Sequence, residues 1–254
     1  VQTAAIHEGA RGAKLSDEQM GQLVRFVSSH EVGHTLGLLH NFGSSAAYDV
    51  DSLRSPAFTE KYGTAPSVMD YARFNYVAQP GDGVKQIYPK IGEYDRFAID
   101  FGYRYFAGQT PEQEERALEL QIREKVKNPV YFYGRQGSMD PRAQSEDLGN
   151  DAVKASDYGI ANLRYILPNL EKWTYDNADD LSGTKELYLE IMRQYRRYVN
   201  HVLANVAAMT EDVKTMGEPG AVFTYVSKDK QQRAVDFVGR QVFQTPTWLL
   251  DSTL

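Results

Sequence analysis

Cysteine is absent from the 254 residues of this chain. Its absence excludes disulfide bonds, thiolate metal sites and cysteine nucleophiles, so any metal must be held by nitrogen or oxygen ligands. The chain also lacks an apolar run near the roughly 18 residues that a membrane span requires, so we predict no span. Basic residues are not in excess, since 28 Lys and Arg stand against 34 Asp and Glu. This mildly acidic balance gives no reason to expect nucleic acid as a partner.

The first ten residues, VQTAAIHEGA, contain no initiator methionine and neither the basic nor the apolar region of a signal peptide. We therefore expect the sequence to be an internal piece of a longer protein. Any export signal would then lie upstream of these residues.

The hydrophobic patterning predicts a mainly α fold, of the α+β type with minor β structure. A loop rich in Ser, Gly, Pro, Asp and Tyr follows the first helix over 41–89, and long ordered loops are usually functional. Helices are predicted over 15–37, 93–106, 111–127, 152–167, 184–209 and 230–243, and short strands over 130–133 and 221–226.

The first predicted helix begins with Ser16 and Gln19, at the spacing of a capping box. Its apolar stripe consists of Met20, Leu23, Val24 and Val27. Gly37 is expected to end it, because glycine readily adopts the left-handed conformation found at helix C-termini.

The sequence HEVGHTLGLLH, from His30 to His40, carries the chemistry. His30 and His34 are one turn apart on the same helix face, so their imidazoles can converge on one ion. His40 reaches the same ion only if the chain turns back, which Gly37 permits. The chance of finding HExxHxxGxxH anywhere in such a chain is on the order of 1 in 100,000 from ordinary residue frequencies.

Three nitrogen ligands and an open fourth position are typical of catalytic zinc, although cobalt, nickel or copper would also bind. Zinc lowers the pKa of a bound water to about 7, which makes hydroxide available near neutral pH. Glu31, next to His30, is expected to take the proton from that water. We therefore predict hydrolysis by a zinc-activated water, with Glu31 as the general base.

This motif resembles the zinc signature of the metzincin clan of metalloproteases. The resemblance implies that the substrate bond is a peptide bond. SVMDY, from Ser67 to Tyr71, is similar to the clan's Met-turn, which lies beneath the zinc ligands. The resemblance implies that Met69 forms a hydrophobic base under the metal. It also implies that Tyr71 stabilises the transition state, since some groups of the clan place a tyrosine two residues after this methionine.

Longer stretches resemble a family of large bacterial zinc metalloproteases whose catalytic unit is a met-zincin domain. They begin at Asn41, Glu93 and Asp140, and TPTWLL near the end of the chain matches as well. Members are typically exported, so the resemblance implies a periplasmic, cell-surface or extracellular location. Asn41 departs from astacins, which have an acidic residue after the third histidine, so astacin specificity is not implied.

The resemblance also divides the chain. Residues 1–107 would form the C-terminal part of a metzincin catalytic domain, and 108–254 a helical extension packed on it. The β-sheet that precedes the zinc helix in metzincins does not fit into 29 residues, so we expect an upstream part of the same polypeptide to complete the cleft. The alternative is a truncated or inactive zinc-binding module with a structural or binding role. A third possibility is an enzyme that hydrolyses small non-peptide amides.

Several other polar residues are expected to be structural. His7 is predicted at the surface and His201 within a helix. The acidic run over 140–151 is predicted to cap a helix and to be solvated rather than to bind calcium, because it lacks the spacing of an EF-hand loop. Tyr94, Arg96 and Tyr103 are candidates to line the pocket for the substrate residue after the scissile bond.

Overall fold

The computed structural model describes residues 1–12, 15–72, 74–135, 137–175, 181–214 and 217–250. Helices dominate these residues, which confirms the mainly α fold. The α-helices are α1 Asp17–Thr35, α2 Pro56–Tyr62, α3 Glu93–Tyr103, α4 Pro111–Lys125, α5 Ala152–Ile166, α6 Leu170–Thr174, α7 Ser182–Leu203 and α8 Lys228–Gln241. The strands β1, Met209–Glu211, and β2, Phe223–Tyr225, form an antiparallel pair with Thr210 opposite Thr224. Within the described ranges, no helix is both long and apolar enough to cross a bilayer.

Side-chain caps explain where several helices begin. Thr110 Oγ1 accepts from the backbone N–H of Gln113, and the side-chain Oε1 of Gln113 accepts from the backbone N–H of Thr110. The helix α4 therefore starts with a complete capping box. Asp151 accepts from the Lys154 amide at the start of α5. The predicted capping role within the acidic run is therefore correct for Asp151.

Three predictions about regular structure are wrong. The stretch 41–89, predicted as a loop, contains α2 and two 3₁₀ turns, Ser45–Ala47 and Ser52–Arg54. The segment predicted as a strand over 130–133 begins with a 3₁₀ turn, Pro129–Tyr131, which Asn128 caps by accepting from the Val130 amide. The helix predicted to reach Met209 ends at Leu203. Beyond it, Ala207 has a φ of 53° and the chain turns into β1.

The main hydrophobic core is built around α5 and α7, which pack against each other, and α8 closes one side of that pair. Gly159 of α5 permits close packing, because a Cβ there would lie 2.7 Å from the ring of Tyr198 on α7. The same core contains Leu53 and Val77 from the long loop, together with Ala4 near the start of the chain. The core therefore joins residues from both sides of position 107, and the proposed division of the chain at that position stays a prediction.

The acidic run is less solvated than expected. Asp140 is 4% exposed, is paired with Arg142 and accepts from the Glu211 amide at 2.8 Å. Asp147 is 5% exposed and accepts from Ser45 Oγ at 3.2 Å. The prediction of surface solvation is therefore wrong for these two carboxylates, which join the 140–151 loop to β1 and to the loop after the third histidine.

Candidate metal centre

Most of the predicted apolar stripe of α1 lies at the surface. Met20, Val24 and Val27 are each more than 40% exposed. The buried positions of α1 are Gln19, Phe26, His30 and Gly33. Of the stripe, Leu23 packs against the buried cluster of Phe26, Val68 and Met69. The apolar period thus predicted the helix correctly but identified its buried face at one position alone.

The start of α1 differs from the predicted capping box in one respect. Ser16 Oγ accepts from the Gln19 amide as expected. The Gln19 side chain does not bond back to Ser16, whose N–H donates instead to Gly9 O. The side-chain Nε2 of Gln19 contacts His7 Nε2 at 2.9 Å, and its Oε1 accepts from Tyr88 OH at 3.1 Å. His7 therefore packs against the helix rather than serving as a surface residue.

The end of α1 turns the chain back toward the helix. Gly37 has a φ of 84°, its N–H donates to His34 O, and the Leu38 N–H donates to Gly33 O, both at 3.0 Å. These two bonds form a Schellman motif, which satisfies carbonyl groups at the end of the helix. The reversal brings His40 beside the two histidines of α1.

The three histidines meet at one point. Their Nε2 atoms are 3.0 Å apart for His30 and His34, 3.1 Å for His34 and His40, and 3.2 Å for His30 and His40. Zinc–nitrogen bonds of about 2.0–2.1 Å at tetrahedral angles would hold such atoms about 3.3 Å apart. Within the described part of the chain, this is the group of His, Cys, Asp and Glu side chains that can share one ion.

Carbonyl groups fix the tautomers of the two helix histidines. His30 Nδ1 lies 2.7 Å from Val68 O, and His34 Nδ1 lies 2.9 Å from Leu38 O. A carbonyl only accepts, so each Nδ1 carries the hydrogen and each Nε2 of the neutral ring presents a lone pair. Two lone pairs that face each other at 3.0 Å repel unless a cation lies between them, so the donor set fits a metal ion. Burial lowers the pKa of His30, which favours the neutral form that binds metals.

The turn beneath the histidines is buried and held by a carboxylate. Met69 is fully buried, and its thioether lies where a Cβ on Gly33 of α1 would be. Asp95, in the first turn of α3, accepts from Ser67 Oγ at 2.5 Å and from the Val68 amide at 3.0 Å. Asp95 therefore fixes the carbonyl of Val68 that orients His30. The sequence offered no signal for this role, because an acidic residue in a first helical turn is common.

Tyr71 and Glu31 lie beside the histidines on different elements. The ring of Tyr71 is 4.7 Å from that of His40 and 5.4 Å from that of His30, measured between centroids. Glu31 is exposed on α1. The structure thus brings Tyr71 together with the ligand rings, while the catalytic roles of Tyr71 and Glu31 stay predictions.

Among the other candidates, Arg96 and Tyr103 line an open groove of about 490 Å³ on α3, but Tyr94 does not. The Tyr103 hydroxyl donates to Leu36 O at 3.1 Å, which links this groove to the end of α1. His201 is buried in α7 and its Nε2 contacts Ser145 O at 2.9 Å. Burial lowers the pKa of His201 to about 4, consistent with a structural role.

Comparison with known proteins supports the family resemblance. No curated protein and no solved structure matches the chain. A family model described as Met-zincin matches residues 12–254. That match covers nearly the whole chain, including the three histidines and the Met69 turn, and the chain belongs to this Met-zincin family.

Proposed function

We propose that the chain carries the zinc site of a metalloendopeptidase, with peptides or proteins as substrates. The observation that carries the proposal is the convergence of three Nε2 atoms within 3.2 Å of one another, two of them on rings whose tautomers are fixed by carbonyl groups. Membership of the Met-zincin family supports the choice of peptide substrates. His30, His34 and His40 would hold the ion.

Zinc would act as a Lewis acid and lower the pKa of the attacking water. Glu31 would act as the general base for that water and as the proton donor to the leaving amine, since it adjoins His30 in α1 and its side chain is exposed to solvent. Tyr71 donates a hydrogen bond to the developing oxyanion, a role that its ring position next to His30 and His40 supports.

We also propose that an upstream part of the same polypeptide completes the substrate cleft. Val24 and Val27 lie seven and four residues before Glu31, so these exposed apolar side chains share its helix face. Export to the periplasm, cell surface or medium is the location that the family resemblance favours. Fractionation of cells that produce the full-length protein would test the location.

The experiment that tests the catalytic proposal is Glu31→Gln, assayed on a peptide library with bound zinc measured in parallel. We expect zinc to be retained and turnover to fall at least about a hundredfold, the lower range for losing a proton-transfer group. Glu18→Gln, at an exposed position of the same helix, serves as the matched control and should keep full turnover.

Unchanged cleavage by Glu31→Gln would remove Glu31 from the mechanism. A protein that carries the upstream part, binds zinc tightly and still cleaves nothing would favour a structural or binding module instead. Cleavage confined to small amides would favour a non-peptide amidase.

A further inference from the structure

The residue after the third histidine is an amide with no exposed surface. Asn41 Nδ2 donates to Phe132 O at 2.9 Å, and its Oδ1 accepts from the Gly134 amide at 2.8 Å. Its own N–H donates to Met69 O at 3.0 Å. Asn41 therefore joins the turn beneath the histidines to a segment more than 90 residues farther along the chain.

The backbone that follows Asn41 also lies very close to that segment. Phe42 N–H donates to Gly134 O at 2.9 Å. A Cβ on Gly134 would lie 2.6 Å from the Cα of Gly43, and a Cβ on Gly43 would overlap the ring of Phe132. Residues 132–134 thus hold 41–43 by side-chain bonds, a backbone bond and glycine-permitted contact.

His40 is connected to this contact through Phe42. His30 and His34 are fixed by α1 and by carbonyl bonds to their Nδ1 atoms. His40 lies outside the helix, and its ring stacks on Phe42 with centroids 5.3 Å apart and planes 24° apart. Phe42, which stacks on His40, is therefore also the residue whose N–H bonds to Gly134 O.

We propose that Asn41 and residues 132–134 are positioning elements that fix His40 for metal binding. The helical region after residue 107 then contributes directly to the affinity of the metal site. The proposal rests on the proposed function only in taking zinc as the ion. Outer partners that orient a metal ligand typically change metal affinity by 10–100-fold.

The test is Asn41→Ala, with zinc affinity measured by competition with a chelator and ligand geometry followed by the visible absorption of the cobalt-substituted protein. Asn162→Ala is the matched control, because Asn162 is also buried and donates to two carbonyl groups, of Tyr76 and Ala78, away from the three histidines. We expect zinc affinity to fall 10–100-fold for Asn41→Ala and less than twofold for Asn162→Ala, with similar losses of thermal stability.

Gly134→Ala keeps the test decisive if Asn41→Ala does not fold. It moves residues 132–134 away from Gly43 while position 41 stays asparagine. It should weaken zinc binding in the same range. Wild-type affinity and an unchanged cobalt spectrum in either folded variant would overturn the proposal. Both readouts are made without peptide, so a protein that carries the upstream part, binds zinc and cleaves nothing would overturn the proposed function alone.

Discussion

The helices α1 and α7 both have apolar residues at helical spacing, yet they bury different kinds of surface. In α7 the apolar residues Ile191, Tyr198 and Val202 recur at helical spacing and form the buried face, where each is at most 1% exposed. In α1 three of the four stripe residues are solvent-exposed, and the buried face includes His30 and Gly33. The comparison shows that apolar period identifies the buried face where a helix packs in a core, but not where its buried face orients metal ligands.

The largest expected effect tests this difference between α1 and α7 directly. Ile191→Ala should lower the free energy of unfolding by about 2–5 kcal/mol, because it removes a fully buried side chain from the main core. Val24→Ala on α1 should change it by less than about 0.5 kcal/mol, since Val24 is 55% exposed. Urea denaturation of both variants measures the difference.

Equal losses in the two variants would mean that the exposed face of α1 is packed in solution. That result would remove the distinction between the two helices. It would also show that the apolar period of α1 identifies its buried face after all.

The helices could be predicted from the sequence because their signals are local. Period-3.6 patterning and caps such as Thr110 and Asp151 lie within one or two turns of the residues they organise. The end of α7 could not be predicted, because alanine-rich residues after Leu203 favour continued helix. The pairing of Val226 N–H with Ala208 O and the bond from Ala207 N–H to Gln231 instead direct the chain into β1.

The site divides in the same way. His30, His34 and His40 could be predicted because their spacing alone brings them together through a helix and a glycine turn. Asn41 and Asp95 could not, because their partners lie 93 and 28 residues away and no spacing rule connects them. The groups that bind a metal were therefore visible in the sequence, while the groups that hold them required the fold.

Two glycines of α1 test the difference between its exposed and buried faces, with the next largest effect. Gly21→Ala should stabilise the protein by about 0.5–1 kcal/mol, because no atom lies within 4 Å of the new Cβ and alanine favours helix. Gly33→Ala should destabilise it, since overpacking against the buried thioether of Met69 costs about 1–3 kcal/mol, more than the helical gain. Thermal denaturation checks the opposite signs, and stabilisation by both variants would show that Met69 is not fixed beneath the helix.

The smallest expected effect concerns Asp70 and Asp147, two carboxylates between the metal site and the α5–α7 core. Burial raises the pKa of both, and for Asp147 the neighbouring charge of Asp70 raises it further. Above the unfolded-state pKa of about 3.9, the native state therefore binds more protons than the unfolded state, so stability falls as the pH rises through the native pKa.

Asp147→Asn removes one of these titrations and should flatten that fall by on the order of 1 kcal/mol between pH 5 and pH 7, since one proton corresponds to about 1.4 kcal/mol per pH unit at most. Asp236→Asn, at an exposed position of α8, is the control and should follow the wild-type curve. Unfolding free energies compared between variants at each pH cancel the contribution of the histidines. If the unfolding free energy of Asp147→Asn varied with pH as it does in the wild type, the native state would hold no extra proton at this pair. Asp70 and Asp147, which lie between the metal site and the α5–α7 core, would then both be ionised over this pH range.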